Sequence, residues 1–210
     1  RINKLKFFRF DFFEFNKKTF LISRSGYSKQ GGFEIHIEDI EAGLNLYDHF
    51  FKIGDVFNLK PGTPNHPERI EGGLLSYGSD MDINDNPFEC GFDKYIDLES
   101  DIIFLGKEKL IKIKENGIKK RLMGVKIEAK AITITKEIPM KNSEGKVLGQ
   151  LRSAAFSPKF KRIVGIAMIE KDYCKQLQKF QIEVNNDVFF GEICKDPTTA
   201  QEHPGEPALR

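Results

Sequence analysis

Seven of the chain's 19 phenylalanines fall between Phe7 and Phe20. A stretch this apolar is strand rather than loop: Lys4 to Phe15 alternates in part, and Thr19-Phe20-Leu21-Ile22-Ser23 follows after the turn signal Asn16-Lys17-Lys18. The reading is a hairpin whose surface requires a partner. Left bare, such a surface self-associates, as a homodimer, or aggregates.

The rest of the composition is that of an ordinary globular chain. Hydrophobic residues make up 40% and charged residues 30% of the 210 residues, a length at which roughly 70% of the unfolded surface is buried on folding. Net charge is only +2, too little for a nucleic-acid footprint. No apolar run reaches the roughly 18 residues that cross a bilayer, so neither nucleic acid nor membrane is an expected partner. Cys90, Cys174 and Cys194 are odd in number and widely spaced, which reads as reduced thiols of a cytoplasmic protein. The chain opens at Arg1 without an initiator Met or a signal-peptide pattern, as a cut inside a larger protein would.

Beyond the hairpin, Gly26-Tyr27-Ser28-Lys29-Gln30-Gly31-Gly32 leads into the strand Phe33 to Ile37, where alternation sets Phe33, Ile35 and Ile37 on one face and Glu34, His36 and Glu38 on the other. A helix over Ile40 to Phe51 carries Ile40, Leu44, Tyr47 and Phe51 at helical spacing, with Asp39 as N-cap and Gly54 past its end. A second helix starts near Asn65, in capping-box spacing with Glu68, and turns Ile70, Leu74 and Tyr77 inward. Asp80 to Pro87 reads as a polar turn, and Lys107 to Glu115 as a short basic helix ended by Gly117, its lysines a solvated face able to attract an anionic tail.

After Gly117 the period changes from helical to alternating. Leu122–Ile127, Ile132–Thr135, Val147–Phe156, Ile163–Ile169, Phe180–Val184 and Val188–Ile193 read as short strands of an antiparallel barrel or sandwich. A domain boundary is expected at residues 117 to 121, and a disordered tail over 196–210.

Several chemistries lack their residues. No P-loop or dinucleotide fingerprint is present, and His36, His49, His66 and His203 have no metal-ligand spacing. What remains is Arg24, Tyr27, Glu34 and His36 around a glycine-rich turn: an aromatic, a carboxylate and an imidazole able to hold a polar heterocycle or a cation, unless they are simply a solvated strand face.

Ser25-Gly26-Tyr27-Ser28-Lys29-Gln30-Gly31-Gly32-Phe33-Glu34-Ile35 resembles the G-Y-[ST]-x-x-x-G-x-E-[IV] segment of the glycine cleavage T-protein (aminomethyltransferase) family. Four further blocks follow in the family's order: Arg69-Ile70-Glu71-Gly72-Gly73-Leu74 with Tyr77-Gly78 and Asp80, Asn86-Pro87-Phe88-Glu89-Cys90-Gly91, Phe104-Leu105-Gly106-Lys107, and Ser153-Ala154-Ala155-Phe156-Ser157-Pro158. The resemblance implies an α+β fold: the C-terminal part of the family's folate-binding body over residues 1–117, truncated at its N-terminus, then a small antiparallel β-barrel over 118–195.

Within the family the turn and Glu68-Arg69-Ile70-Glu71 look most like the branch that moves a methyl group from the sulfonium of dimethylsulfoniopropionate to tetrahydrofolate. That resemblance implies tetrahydrofolate as methyl acceptor, a small sulfonium substrate, no metal and no single catalytic side chain. It places Tyr27, Glu34 and His36 at the folate and substrate pocket, His36 standing where that branch has an aromatic residue. Asn65 stands where aminomethyltransferases carry a pocket Arg, and the polar Asp196-Pro197-Thr198-Thr199 replaces the family's apolar end. Two alternatives stay open. One is aminomethyl transfer. The other is a non-catalytic folate-binding role like that of relatives with a K-G-C-Y-x-G-Q-E motif, whose Cys is missing from the turn here.

Overall fold

A computed structural model describes residues 2–25, 32–62 and 65–194. They belong to two compact units, Arg1–Asn65 and His66–Arg210.

In the first unit, β1 (Phe10–Phe15), β2 (Lys18–Ser23) and β3 (Glu34–His36) form an antiparallel sheet in the order β1-β2-β3. The hairpin turns through Asn16 (φ 49°) and Lys17 (φ 60°), the pair of positive φ values whose twist matches that of the flanking strands. This fixes the register, with Phe13 opposite Phe20 and Ile22 opposite Ile35. Phe20 and Ile22, joined by Phe13, Phe15 and Ile35, pack against Ala42 and Leu46 of α1 (Ile40–Gly54). Asp39 caps that helix as expected, its side chain accepting from the Ala42 N–H at 3.1 Å while Lys18 Nζ pairs with it at 2.8 Å.

The buried face of α1 differs from the expected stripe. Ile40, Leu44 and Tyr47 are exposed, whereas Ala42, Gly43 and Leu46 are buried. The reason is close approach: a Cβ on Gly43 would lie 2.6 Å from Ile37 Cγ2, so at that position the face admits no side chain.

The second unit holds α2 (His66–Glu71), α3 (Lys107–Asn116) and six strands: β4 (Lys120–Ile127), β5 (Ile138–Lys141), β6 (Val147–Ser157), β7 (Arg162–Glu170), β8 (Lys179–Val184) and β9 (Asp187–Ile193). The strands close a barrel in the order β4-β7-β6-β5-β8-β9, with β9 returning to β4. Met140, Leu148, Leu151, Ile163, Ile182 and Ile193 are among the residues of one core cluster, each contributing roughly 1.5–3 kcal/mol by its burial. A second cluster joins Leu122, Val164, Ile166 and Met168 to Ile70 of α2 and to Cys90. Strand β7 is therefore buried along nearly its whole length, and residues 163–169 within it read as a continuous apolar run. The change of pattern near residues 117 to 121 falls inside this unit.

Three further expectations need correction. The second helix stops at Glu71 because Gly73 adopts φ 61° and the Leu74 N–H turns back to the Arg69 carbonyl at 2.8 Å; Leu74 is half-buried and Tyr77 exposed. Ile132–Thr135 makes only the Ile134–Ala154 bridge, though Ile132 and Ile134 are buried in the barrel core. The strand missed by pattern is β5, four residues interrupted by Pro139, which has no N–H to give a ladder. The tail expected over 196–210 lies outside the described residues. Among the described residues no helix is long and apolar enough to cross a membrane.

Buried charge links α2, the loop after it and the barrel. Arg69 Nη1 donates to Asp80 Oδ2 at 2.6 Å and Nη2 to Ser153 Oγ at 2.8 Å, while Ser153 Oγ donates to Asp80 Oδ1 at 2.5 Å. All three residues are buried. Removing one member of such a set strands the others without water. Asp80→Ala is expected to cost about 3–5 kcal/mol in urea unfolding, whereas Lys114→Ala, which breaks the exposed Lys114–Glu99 pair, changes stability by about 0–1 kcal/mol.

The cap of α1 titrates at the opposite extreme of exposure. Bonds from Lys18 and from the Ala42 N–H hold the Asp39 carboxyl below its usual 3.8. A depressed carboxyl contributes stability above its unfolded value and loses it as pH falls through the folded one. Circular dichroism of the chain should show α1 weakening below about pH 4, and Asp39→Ala should abolish that part of the acid transition.

Candidate functional site

The outer face of the three-stranded sheet carries the candidate site. Strand register places Phe10, Ser23 and Glu34 in one row across it, and Phe12, Leu21 and His36 in the next. Paired residues of an antiparallel ladder share a face, and the opposite face is the one packed on α1. Phe10 and Phe12 are exposed, as are Glu34 and His36. The carboxylate and the imidazole stand two residues apart on one strand, about 7 Å by strand geometry.

Glu34 is oriented by two serines. Ser23 Oγ donates to Glu34 Oε2 at 3.4 Å, and Ser25 Oγ donates to the same oxygen. Among the described residues these bonds all go to Oε2 and none to Oε1. The carboxylate is thereby held through one oxygen, and when ionised it is an acceptor-only group.

Of the four residues expected to converge, the structure brings Glu34 and His36 onto one face. Arg24 is engaged elsewhere: Nη1 donates to the Leu5 carbonyl at 2.8 Å, and the guanidinium lies 5.7 Å from the centroid of the Phe33 ring. Tyr27 lies outside the described residues. Ser23, Phe10 and Phe12 were not singled out from sequence, yet the two-residue turn at Asn16-Lys17 was the signal: once it fixes the hairpin register, Phe10 falls opposite Ser23. Among the described residues no group of three or more His, Cys, Asp and Glu side chains is arranged to hold a metal.

The later motif blocks are anchors of the second unit. Besides Arg69, Asp80 and Ser153, Glu71 accepts from Ser157 Oγ at 2.5 Å. Asn86 and Glu89 bond reciprocally, each backbone N–H to the other's side chain at 3.2 and 3.1 Å. Of these, Arg69, Asp80, Glu89, Ser153 and Ser157 are buried polar groups, which need partners.

A small mixed α/β sheet unit and an antiparallel barrel, with these motifs at those places, define a class. Residues 1–100 match the family model described as the GCVT N-terminal domain, and residues 120–199 match that of the glycine cleavage T-protein C-terminal barrel domain. The chain belongs to the glycine cleavage T-protein (aminomethyltransferase) family. It is 35% identical over 178 residues to the dimethylsulfoniopropionate demethylase DmdA of Ruegeria pomeroyi, an alignment covering 82% of this chain and 46% of that protein. It is likewise 35% identical over 179 residues to an aminomethyltransferase of Thermosipho melanesiensis, covering 84% and 47%. A crystal structure of glycine cleavage system aminomethyltransferase T from Bartonella henselae superposes with a TM-score of 0.77 at 20% identity, covering 96% of this chain and 55% of that one. The fold is thus that of the T-proteins with their C-terminal barrel. The chain spans about half the length of the curated relatives it matches.

Neither Cys90 nor Cys174 offers itself as a nucleophile. Burial pushes the Cys90 thiol up to about 11, with Asp85 and Glu89 adding to the rise. Cys174 is half-buried and also raised, first by burial. Thiolate is the reactive form, so both react slowly at neutral pH. In a timed alkylation at pH 7.5 read by mass spectrometry, Cys174 should label before Cys90, and Cys90 should label only on unfolding.

Proposed function

We propose that this chain forms part of a tetrahydrofolate-dependent methyltransferase that takes its methyl group from a small sulfonium compound, dimethylsulfoniopropionate. One observation carries the reading: the exposed, aromatic-flanked sheet face on which Glu34 is held through a single carboxylate oxygen. A carboxylate presented in this way suits the N–H groups of a pterin ring, and exposed aromatic rings suit a cation at roughly 0.5–2 kcal/mol each. Support from the relatives is the 35% identity to the demethylase. Asn65, standing where aminomethyltransferases carry an Arg, also favours it.

Tyr27, Glu34 and His36 are the residues assigned to the pocket, with Glu34 on the folate and the Tyr27 ring toward the sulfonium. Tetrahydrofolate, when bound, supplies a neutral nucleophilic nitrogen that accepts a methyl group already activated by sulfur, the products being methylmercaptopropionate and 5-methyltetrahydrofolate. The chain's own residues need only bind, align and exclude water, a task that proximity makes large in rate. Residues 1–117 are assigned to the folate-binding body and 118–195 to the barrel domain.

Aminomethyl transfer is the second reading, favoured by the equal 35% identity to an aminomethyltransferase. A version of the chain completed to its relatives' length separates the two: incubated with tetrahydrofolate, it should form 5-methyltetrahydrofolate from dimethylsulfoniopropionate and show no turnover on an aminomethylated carrier protein. The converse pattern overturns the assignment. The 210-residue chain alone should keep its barrel yet turn over at under about a hundredth of that rate, because alignment is worth orders of magnitude; comparable turnover by the chain as a monomer would displace the site from where it is assigned.

A further inference from the structure

We infer that Ser23 and Ser25 are positioning residues for Glu34, acting on the ligand only through its carboxylate; this rests on the assignment of Glu34 as a ligand acceptor. The geometry is convergent. The two hydroxyls come from alternate residues of one strand end, and both donate to Oε2. Ser23 sits directly opposite Glu34 in the ladder, and alternation returns Ser25 to the same face one step further on. An exposed glutamate without such bonds samples several rotamers, and a ligand that needs one of them pays for ordering it. Here the ordering is done before any ligand arrives.

The strand end that carries the serines is itself held from its other residues. Arg24 N donates to the Arg9 carbonyl at 2.8 Å, and the Arg24 carbonyl accepts from the Phe8 N–H at 2.9 Å, which extends the β1–β2 pairing past the last ladder rung. Its side chain reaches the Leu5 carbonyl and covers the Phe33 ring. Among the described residues the Arg24 Nε is buried with no hydrogen-bond partner. Ser23-Arg24-Ser25 thus divides its work: the central residue fixes the backbone and its neighbours aim the carboxylate.

Two measurements test this. In the 210-residue chain without ligand, three-bond scalar couplings across the χ1 and χ2 torsions of Glu34 should report one rotamer in the wild type and averaging in Ser23→Ala/Ser25→Ala, with the single rotamer restored in Ser23→Thr/Ser25→Thr. Unaveraged couplings in the alanine variant overturn the inference. In the chain completed to its relatives' length, tetrahydrofolate should bind about tenfold more weakly to the alanine variant, the threonine variant should recover most of that loss, and adding Glu34→Gln should weaken the alanine variant less than it weakens the wild type. Equal affinity of wild type and alanine variant also overturns it, as does additivity with Glu34→Gln. Absence of tetrahydrofolate binding by the wild type refutes the folate assignment instead, and the couplings then decide the positioning role by themselves.

Discussion

Asp80 is fully buried and charged, and the second unit is arranged around meeting its needs. A carboxylate removed from water loses several kcal/mol of solvation, so each of its oxygens has to find donors in the protein. Arg69 reaches Oδ2 and the Ser76 N–H shares that oxygen at 2.8 Å, while Ser153 serves Oδ1. Arg69 is a residue of α2, Ser76 and Asp80 belong to the loop after it, and Ser153 is on β6. One buried charge therefore requires α2, the loop after it and the sequence-distant strand β6 to be present together, which is a statement about specificity more than about net stability: an apolar substitute of the same volume can match such a pair in free energy without naming its partners.

Strand β6 gains its second anchor through an irregularity. The ladder with β7 shifts between Leu151 and Ser153, leaving Arg152 as the extra residue of a bulge. Its guanidinium spans Glu137 at 2.8 Å and Asp85 at 3.7 Å, and the Asp85 side chain, fully buried, takes Lys120 at 2.5 Å. Adjacent residues of one strand thus serve two acids, Asp80 and Asp85, five positions apart in the same loop. The bulge makes this possible, because in a regular ladder consecutive side chains point to opposite faces of the sheet.

Much of this was legible beforehand, and the parts that were not share a cause. Period-two alternation found β4, β6, β7, β8 and β9, and the Asp39 cap and the Gly117 stop placed the starts and ends of helices, because those signals are local. The buried face of α1 was misread because close approach at Gly43 selects small residues over large ones, a fact about the neighbour rather than the helix. β5 was missed because Pro139 breaks the pattern while its neighbours supply the pairing. Asp80 looked like a residue of a solvated turn; only its distant partners make it a core residue. For the candidate site, alternation separated Glu34 and His36 from Ile35 correctly, but the aim of the Glu34 carboxylate depends on Ser23 and Ser25, whose relevance follows from register across a hairpin.

The same period of two explains how so small a sheet can carry chemistry. Phe13, Phe20, Ile22 and Ile35 face α1 and hold the layer together, so Phe10, Phe12, Ser23, Glu34 and His36 are released from packing duty on the other side. Stability and recognition are thereby assigned to alternate residues of the same strands. A one-residue slip of β3 would exchange Glu34 for Ile35 and lose both at once, which is why the register has to be fixed firmly. It is fixed by the pairing of β3 with β2, Leu21 to His36, Ile22 to Ile35 and Ser23 to Glu34, while β2 is itself held on β1 by the two positive-φ residues of the hairpin turn and by the pairing that runs on through Arg24. The candidate site is consequently built on the hairpin that precedes it, whose aromatic residues divide between the exposed face, Phe10 and Phe12, and the core, Phe13, Phe15 and Phe20.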